Sequence, residues 1–319
     1  MEKPPADTLA AVGERGALAR ILPLLPPAPL MDLGPGDDSG VLRVPDGRVV
    51  VSCDTMIEGP DFRWDWSTPE DVGVKAIASN AADIAAMGAT PTAFEIAVAA
   101  PADTPVTVLE RLARGIAEGI SSLAPAAGVL GGDLSTSSVF TIAITVFGDL
   151  DGRAPVVRSG ARPGDVVAVA GELGLSHAGL RELRQATKEG RSLDTLRASS
   201  IAVNHHLAPR PPICLGVVAS DAGAHAMMDI SDGLVLDASR MADASGVTIE
   251  LSYLDDDALF GGEDHGLLAT FPADCTLPEG FRIIGRVLER DLEHPVVGAG
   301  FDLGEKRGGW DPFQDFSAE

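Results

Sequence analysis

The sequence predicts an α+β protein of two α/β domains, and three observations carry that expectation. Its 319 residues are more than one hydrophobic core usually organises. Strand-like and helix-like segments alternate in both halves, yet without the strict strand–helix–strand order of a doubly wound sheet. Residues 149–165 (DLDGRAPVVRSGARPGD) are rich in Gly, Pro and Arg, the composition of a connector. Domains are therefore expected at 1–154, with a mixed sheet, and at 155–319, with a sheet packed by helices.

The elements follow in order. The apolar stretch from Leu18 to Leu33 is broken by Pro23, Pro26, Pro27 and Pro29 and cannot span a membrane. RVVVSC, from Arg48, is a β-branched run and reads as a strand. Residues 69–87 read as a helix, with Pro69 first, acids in the first turn and Gly88 as terminator. Residues 93–99 form the next strand. Leu109, Leu112, Ile116, Ile120 and Leu123 recur at 3–4 residue spacing, which makes 107–123 a core-facing helix. Val129 and Leu130 enter the motif GGD, and VFTIAITVF (139–147) is a long strand. In the second half, strands are expected at 166–170, 226–230, 247–251, 266–271 and 281–287. Helices are expected near 178–185, at 201–207, after Pro211 and at 234–244.

With 24 basic and 47 acidic side chains the net charge is −23, which disfavours nucleic acid and anionic membrane as partners. Three cysteines without CxxC spacing imply neither a disulfide framework nor a thiolate metal site, so a reducing compartment is expected. The N-terminal segment lacks the basic-then-apolar order of a signal peptide, and the expected location is cytoplasmic.

The chemistry concentrates in short aspartate clusters. These are Asp37 and Asp38 in GPGDDSG, Asp54 in VSCDT, Asp83 in SNAADIAAMGA, Asp133 in GGDLS, Asp229 and Asp232 in MDISDG, and Asp264 beside Glu263 in FGGED. Carboxylates on tight turns suit hard divalent cations, and such cations let an acidic protein bind polyphosphate. Each cluster has a plainer alternative: a surface turn at GPGDDSG, a solvated helix face at Asp83, a hairpin turn at GGD, and an N-cap at Ser231 or Asp232. Arg158 and Arg162 are cationic candidates for a phosphate clamp, against solvated connector arginines. No Walker loop, GxGxxG, GxSxG or HExxH is present.

As an ordered set, these segments with VGVKAIASNAADIAAMGATP, IGRV and the terminal GWDPF resemble the thiamine-monophosphate kinases. Those belong to a wider superfamily with aminoimidazole ribonucleotide synthetase, selenophosphate synthetase and the hydrogenase-maturation dehydratase. The resemblance implies ATP-dependent phosphorylation of thiamine phosphate to thiamine diphosphate, several Mg2+ ions, and a homodimer formed by pairing the N-terminal sheets. By carry-over, Asp38, Ser52, Cys53, Asp54, Asp83, Asp133, Asp229 and Asp232 match Mg-binding positions. Gly132, Asp133, Arg158 and Ser231 match nucleotide contacts, and Glu263 and Trp310 match substrate-pocket positions. The C-terminal domain is thereby expected to complete the phosphate and substrate site.

Three departures from the family pattern stand out. Asp61 (GPDF) replaces a usual His and is a candidate substrate contact, Cys53 replaces a common Thr, and the segment before GGED is short. No nucleophile or general base is expected from the protein, because a phosphate monoester is already largely dianionic at neutral pH. Charge is the obstacle: two unit charges about 4 Å apart repel by about 4 kcal/mol at an effective dielectric of 20. The alternatives are a superfamily enzyme with another acceptor, or a non-catalytic nucleotide or thiamine-phosphate binding protein.

Overall fold

The computed structural model describes residues 7–35, 39–303 and 309. In chain order the elements are α1 (Leu9–Ile21), β1 (Met31–Leu33), β2 (Val41–Leu42), β3 (Val50–Ile57), α2 (Pro69–Ala86), β4 (Thr90–Ala100), α3 (Val106–Leu123), β5 (Val129–Thr136) and β6 (Thr141–Asp149). They continue with β7 (Val166–Ala170), α4 (Leu175–Glu189), α5 (Leu193–Ser199), α6 (Ile201–Leu207), α7 (Cys214–Asp221), β8 (Ala226–Ile230), α8 (Leu234–Ser245), β9 (Thr248–Leu251), α9 (Asp256–Phe260), β10 (Gly266–Phe271), β11 (Phe281–Leu288) and β12 (Val296–Gly298). The architecture is α+β. The described residues form two compact units, one within 1–84 and 90–151, the other within 85–89 and 152–319.

The first unit is organised by a four-stranded sheet in the order β3-β6-β4-β5. It is mixed: β4 and β5 run parallel, while β3 pairs antiparallel with β6 and β6 antiparallel with β4. Thr68 and Asp71 start α2 as a reciprocal cap: the Asp71 carboxylate accepts from the Thr68 N–H (2.8 Å), and the Thr68 hydroxyl accepts from the Asp71 N–H (3.2 Å). Helix α3 lies close against α2 because Gly115 presents no Cβ where the Glu70 carbonyl oxygen sits. The apolar stripe foreseen on α3 is buried at Leu109, Leu112, Ile116 and Ile120.

The second unit carries a six-stranded sheet, β12-β9-β11-β7-β10-β8, antiparallel throughout except for the β12/β9 pair. Helix α8 covers one face, with Leu234, Ala238, Met241 and Ala242 packed on Val167, Met228, Ile249 and Leu268. Strands β7, β8 and β10 and helix α6 occupy the residues expected from the sequence. The pattern did not reveal α1, α5, α9, β1, β2 or β12, all short or, in α1, interrupted at Gly13 (φ 69°). No helix among the described residues is long and apolar enough to cross a membrane.

Candidate active site

In the first unit the site is built where β3 faces α2. Side chains alternate along β3, so Ser52 and Asp54 share the face turned toward the helix, while Cys53 is exposed on the other face. Asp83, which the sequence left between a ligand and a solvated helix position, meets the strand: the Ser52 hydroxyl donates to its Oδ2 at 2.6 Å. Asn80, one turn earlier and 1% exposed, accepts from the Asp54 N–H at 3.3 Å. Asn80 and Asp83 of the polar stripe thus dock onto β3, while the Ser79 hydroxyl donates to the Ala76 carbonyl of its own helix. This gathers a hydroxyl and carboxylates with only oxygen donors, a set that fits Mg2+ rather than a soft metal. Among the described residues no group of three His, Cys, Asp or Glu side chains is gathered as a metal cage. Mg2+ commonly takes one or two carboxylates and fills its remaining positions with water and substrate phosphate.

Gly132 and Asp133 lie elsewhere. GGD is not a turn but the interior of β5, with Gly132 paired to Ile96 and Asp133 to Ala97. A Cβ on residue 132 would collide with the Ile96 carbonyl oxygen, which is why glycine stands there. β5 and β3 are the two outer strands, separated by β6 and β4, so Asp133 and Asp54 are about 14 Å apart at ~4.8 Å per strand. The ladder also places Asp133 level with Ala97, Ala143 and Thr55, on the face opposite Asp54. Beside GGD opens a cavity of about 330 Å³. Leu18 of α1, Leu22 just past the end of that helix, Leu109, Leu112 and Ala113 of α3, and Ile96 form its apolar walls, with Gly34, Gly40 and Gly131–Asp133 also on its lining.

Asp61 has a local occupation that the sequence did not suggest. Its Oδ2 accepts from the Ile57 N–H at 2.6 Å, closing the turn that leaves β3. Lys75 donates to its backbone carbonyl at 3.0 Å.

In the second unit β8 delivers Asp229, 5% exposed, and runs straight into Ser231, Asp232 and Gly233 before α8. Neither Ser231 nor Asp232 caps the helix; Gly233 is the N-cap and offers no side chain. Asp237, one turn inside α8 and fully buried, turns back instead. Its Oδ2 accepts from the N–H groups of Ser231 and Asp232, both at 3.1 Å, and these donors are thereby engaged by the protein itself. Arg240 bridges Asp237 Oδ1 and Asp232 Oδ2 at 2.7 Å each. Burial, reinforced by the neighbouring Asp229 charge, pushes the Asp237 carboxyl up to about 7. Sequence reasoning missed Asp237 and Arg240. The signal was present, since Asp237 is a lone carboxylate on a helix face shared with Leu234, Ala238 and Met241.

Arg158 stands in a short 3-10 turn, Arg158–Gly160, with its side chain exposed; Gly160 allows that turn to touch the His225 carbonyl oxygen. Glu263 lies between Gly262 and Asp264 at φ 69°, half-buried, and its N–H donates to the Ser231 carbonyl at 2.8 Å. The structure therefore brings Glu263, Ser231, Asp232 and Asp229 together around one strand end. Gly309 also packs against the Asp232 carbonyl oxygen. Asp264 is 1% exposed and bonded to the first turn of α4, so it is an anchor rather than a ligand facing solvent. Asp37, Asp38 and Trp310 lie outside the described residues.

Residues 36–150 match the family model for the N-terminal domain of AIR synthase related proteins, and residues 162–291 match that for the C-terminal domain. The chain belongs to the AIR synthase related family. Within it the chain groups with the thiamine-monophosphate kinases, as the order of its motifs implied. It is 43% identical over 304 residues to the thiamine-monophosphate kinase of Mycobacterium tuberculosis (strain ATCC 25618 / H37Rv), covering 89% of this chain and 87% of that protein. It is 41% identical to that of Corynebacterium glutamicum, covering 82% and 83%. Among solved structures, AaThiL complexed with AMPPCP and TMP superposes with a TM-score of 0.72 at 32% identity, over 94% of this chain and 96% of that one. The hydrogenase maturation protein HypE, at 17% identity and a TM-score of 0.65, shares the fold.

Proposed function

We infer that the protein transfers the terminal phosphoryl group of ATP to thiamine phosphate, giving thiamine diphosphate and ADP. The observation that carries this reading is its 43% identity, over most of both chains, to a thiamine-monophosphate kinase. The similarity to a solved structure holding AMPPCP and TMP supports the same two substrates.

Ser52, Asp54 and Asp83 are the residues of the first unit that would hold Mg2+, and Asp229 and Asp232 those of the second. Asp38, Asp133 and a Cys53 main-chain contact remain part of the proposed set. Bound there, Mg2+ supplies positive charge that neutralises the facing phosphates. The chain's own work is positioning. The Ser52–Asp83 hydrogen bond fixes the strand-to-helix spacing of the carboxylates. Asp237 and Arg240 lock the loop carrying Asp232. Arg158 is assigned to a nucleotide phosphate and Glu263 to thiamine phosphate. The acceptor oxygen carries its own negative charge, so no side chain has to remove a proton before transfer.

The cavity beside GGD is assigned to the base of ATP: it has the size and apolar walls of a small-molecule site and adjoins Gly132 and Asp133. A homodimer completes the reading. The open face of the N-terminal sheet exposes Val51 (51%) and Ile57 (40%), and a second copy would cover them. Asp133 stands on that same face. Cytoplasmic location is part of the same reading, supported by cysteines without a disulfide pattern.

The test is an assay with ATP, Mg2+ and thiamine phosphate, following thiamine diphosphate by chromatography, with free thiamine as a control acceptor. Product from the phosphate and none from thiamine supports the kinase; ATP binding without product rejects it in favour of a different acceptor.

A further inference from the structure

The motif FGGED contains a second carboxylate next to the one assigned to substrate, and its surroundings give it a different task. Asp264 is 1% exposed, and both of its oxygens accept backbone N–H groups about 90 residues away in sequence. Oδ2 takes Gly174 at 2.6 Å and Oδ1 takes Ser176 at 2.8 Å. These are donors at the start of α4, where helix geometry leaves N–H groups unsatisfied and negative charge is favourable. His205 of α6 stands 3.2 Å from Oδ1, and the next residue, His206, meets the Ser176 hydroxyl at 2.9 Å.

Only three non-glycine residues among those described have positive φ, and two of them, Glu263 and His265, flank Asp264. A left-handed residue on each side persists only where the surroundings over-determine it. Here they do. Glu263 N–H donates to the Ser231 carbonyl at 2.8 Å and His265 N–H to the Ile230 carbonyl at 2.9 Å. Gly262 admits the close approach, because a Cβ there would run into the Ser231 carbonyl oxygen.

We propose that Asp264 is a positioning residue for thiamine phosphate binding: anchored to the start of α4 and packed beside His205, it holds Glu263 in its left-handed conformation beside Ser231. The proposal rests on the assignment of Glu263 to substrate. It also accounts for two acids side by side, of which one is half-buried and the other wholly enclosed.

The experiment measures the KM for each substrate, and thiamine phosphate affinity by calorimetry, in Asp264→Asn, Glu263→Gln and Val287→Ala. Asparagine keeps the size of the side chain but offers one acceptor oxygen, so one α4 N–H loses its partner. Val287→Ala leaves a small void in the core beneath β11 and serves as the stability control. The expected result is a tenfold or greater rise in the thiamine phosphate KM and Kd for Asp264→Asn and Glu263→Gln, with the ATP KM within twofold of wild type. Val287→Ala should lower the melting temperature and leave both KM values unchanged. A melting-temperature loss in Asp264→Asn with unchanged thiamine phosphate affinity, while Glu263→Gln is impaired, overturns the positioning role alone. No effect of Glu263→Gln overturns the substrate assignment and the proposal with it. If Asp264→Asn does not fold, His205→Gln carries the test: a rise of about threefold in the same KM supports the proposal and no rise refutes it.

Discussion

Asp237 gives the most quantitative prediction. Its carboxyl is buried, and in the folded protein it titrates at about 7 against a reference of 3.8. The folded state therefore binds the proton more tightly than the unfolded chain does. The associated stability is fully present below about pH 4 and is lost as pH rises through about 7. A shift of about three units corresponds to about 4 kcal/mol at about 1.4 kcal/mol per unit. Between pH 5 and pH 8 the loss from this one group is about 3 kcal/mol, since part of it has already occurred by pH 5. Asp237→Asn removes the titration while keeping an acceptor for the loop N–H groups. Its own stability cost should be nearly independent of pH, so the gap between variant and wild type should shift in the variant's favour by about 3 kcal/mol from pH 5 to pH 8. For a unit of this size that is a relative shift in melting temperature of about 6–12 °C. The assay is thermal unfolding of both proteins in EDTA, so that no cation competes for Asp229 and Asp232. An equal gap at the two pH values refutes the reasoning and means that Arg240 and the two N–H donors keep Asp237 ionised throughout.

Three further predictions concern the first unit. Asp54→Asn and Asp133→Asn should each lose at least 100-fold in turnover with melting temperatures within about 2 °C of wild type, because both side chains are at least partly exposed; near wild-type rates with unchanged Mg2+ dependence refute their assignment to metal and phosphate. Ala113→Trp fills the cavity beside GGD and should raise the ATP KM at least tenfold while leaving the thiamine phosphate KM unchanged, as steady-state kinetics would show; equal ATP KM values place the base elsewhere. Asp61→Ala removes the acceptor of the Ile57 N–H, an exposed hydrogen bond worth about 1 kcal/mol, so a small drop in melting temperature is expected. If the carboxylate also meets thiamine phosphate, the KM for that substrate rises as well, and an unaltered KM leaves Asp61 the turn-closing role alone.

The sequence carried the α+β class and most of the regular elements, because those depend on local periodicity. The stripe on α3 and the apolar runs of β7, β8 and β10 occupy the predicted residues. The acids proposed as ligands were also named from the sequence, since a fixed order of motifs needs no coordinates to be recognised. What each acid does was decided by tertiary structure. Asp83 became a partner of Ser52 only when α2 docked on β3. Asp133, similar to Asp54 in its motif context, ended on the other outer strand and the other face of the sheet, because strand order and pleat are long-range outcomes. Asp264 was enclosed by donors from α4, and Asp237 was recruited to a loop that it follows in the chain. A carboxylate's chemistry depends on which donors and charges surround it. Side-chain type and spacing state that the acids are present; the pairing of distant strands and helices determines which remain open to a cation and which are consumed in holding the site.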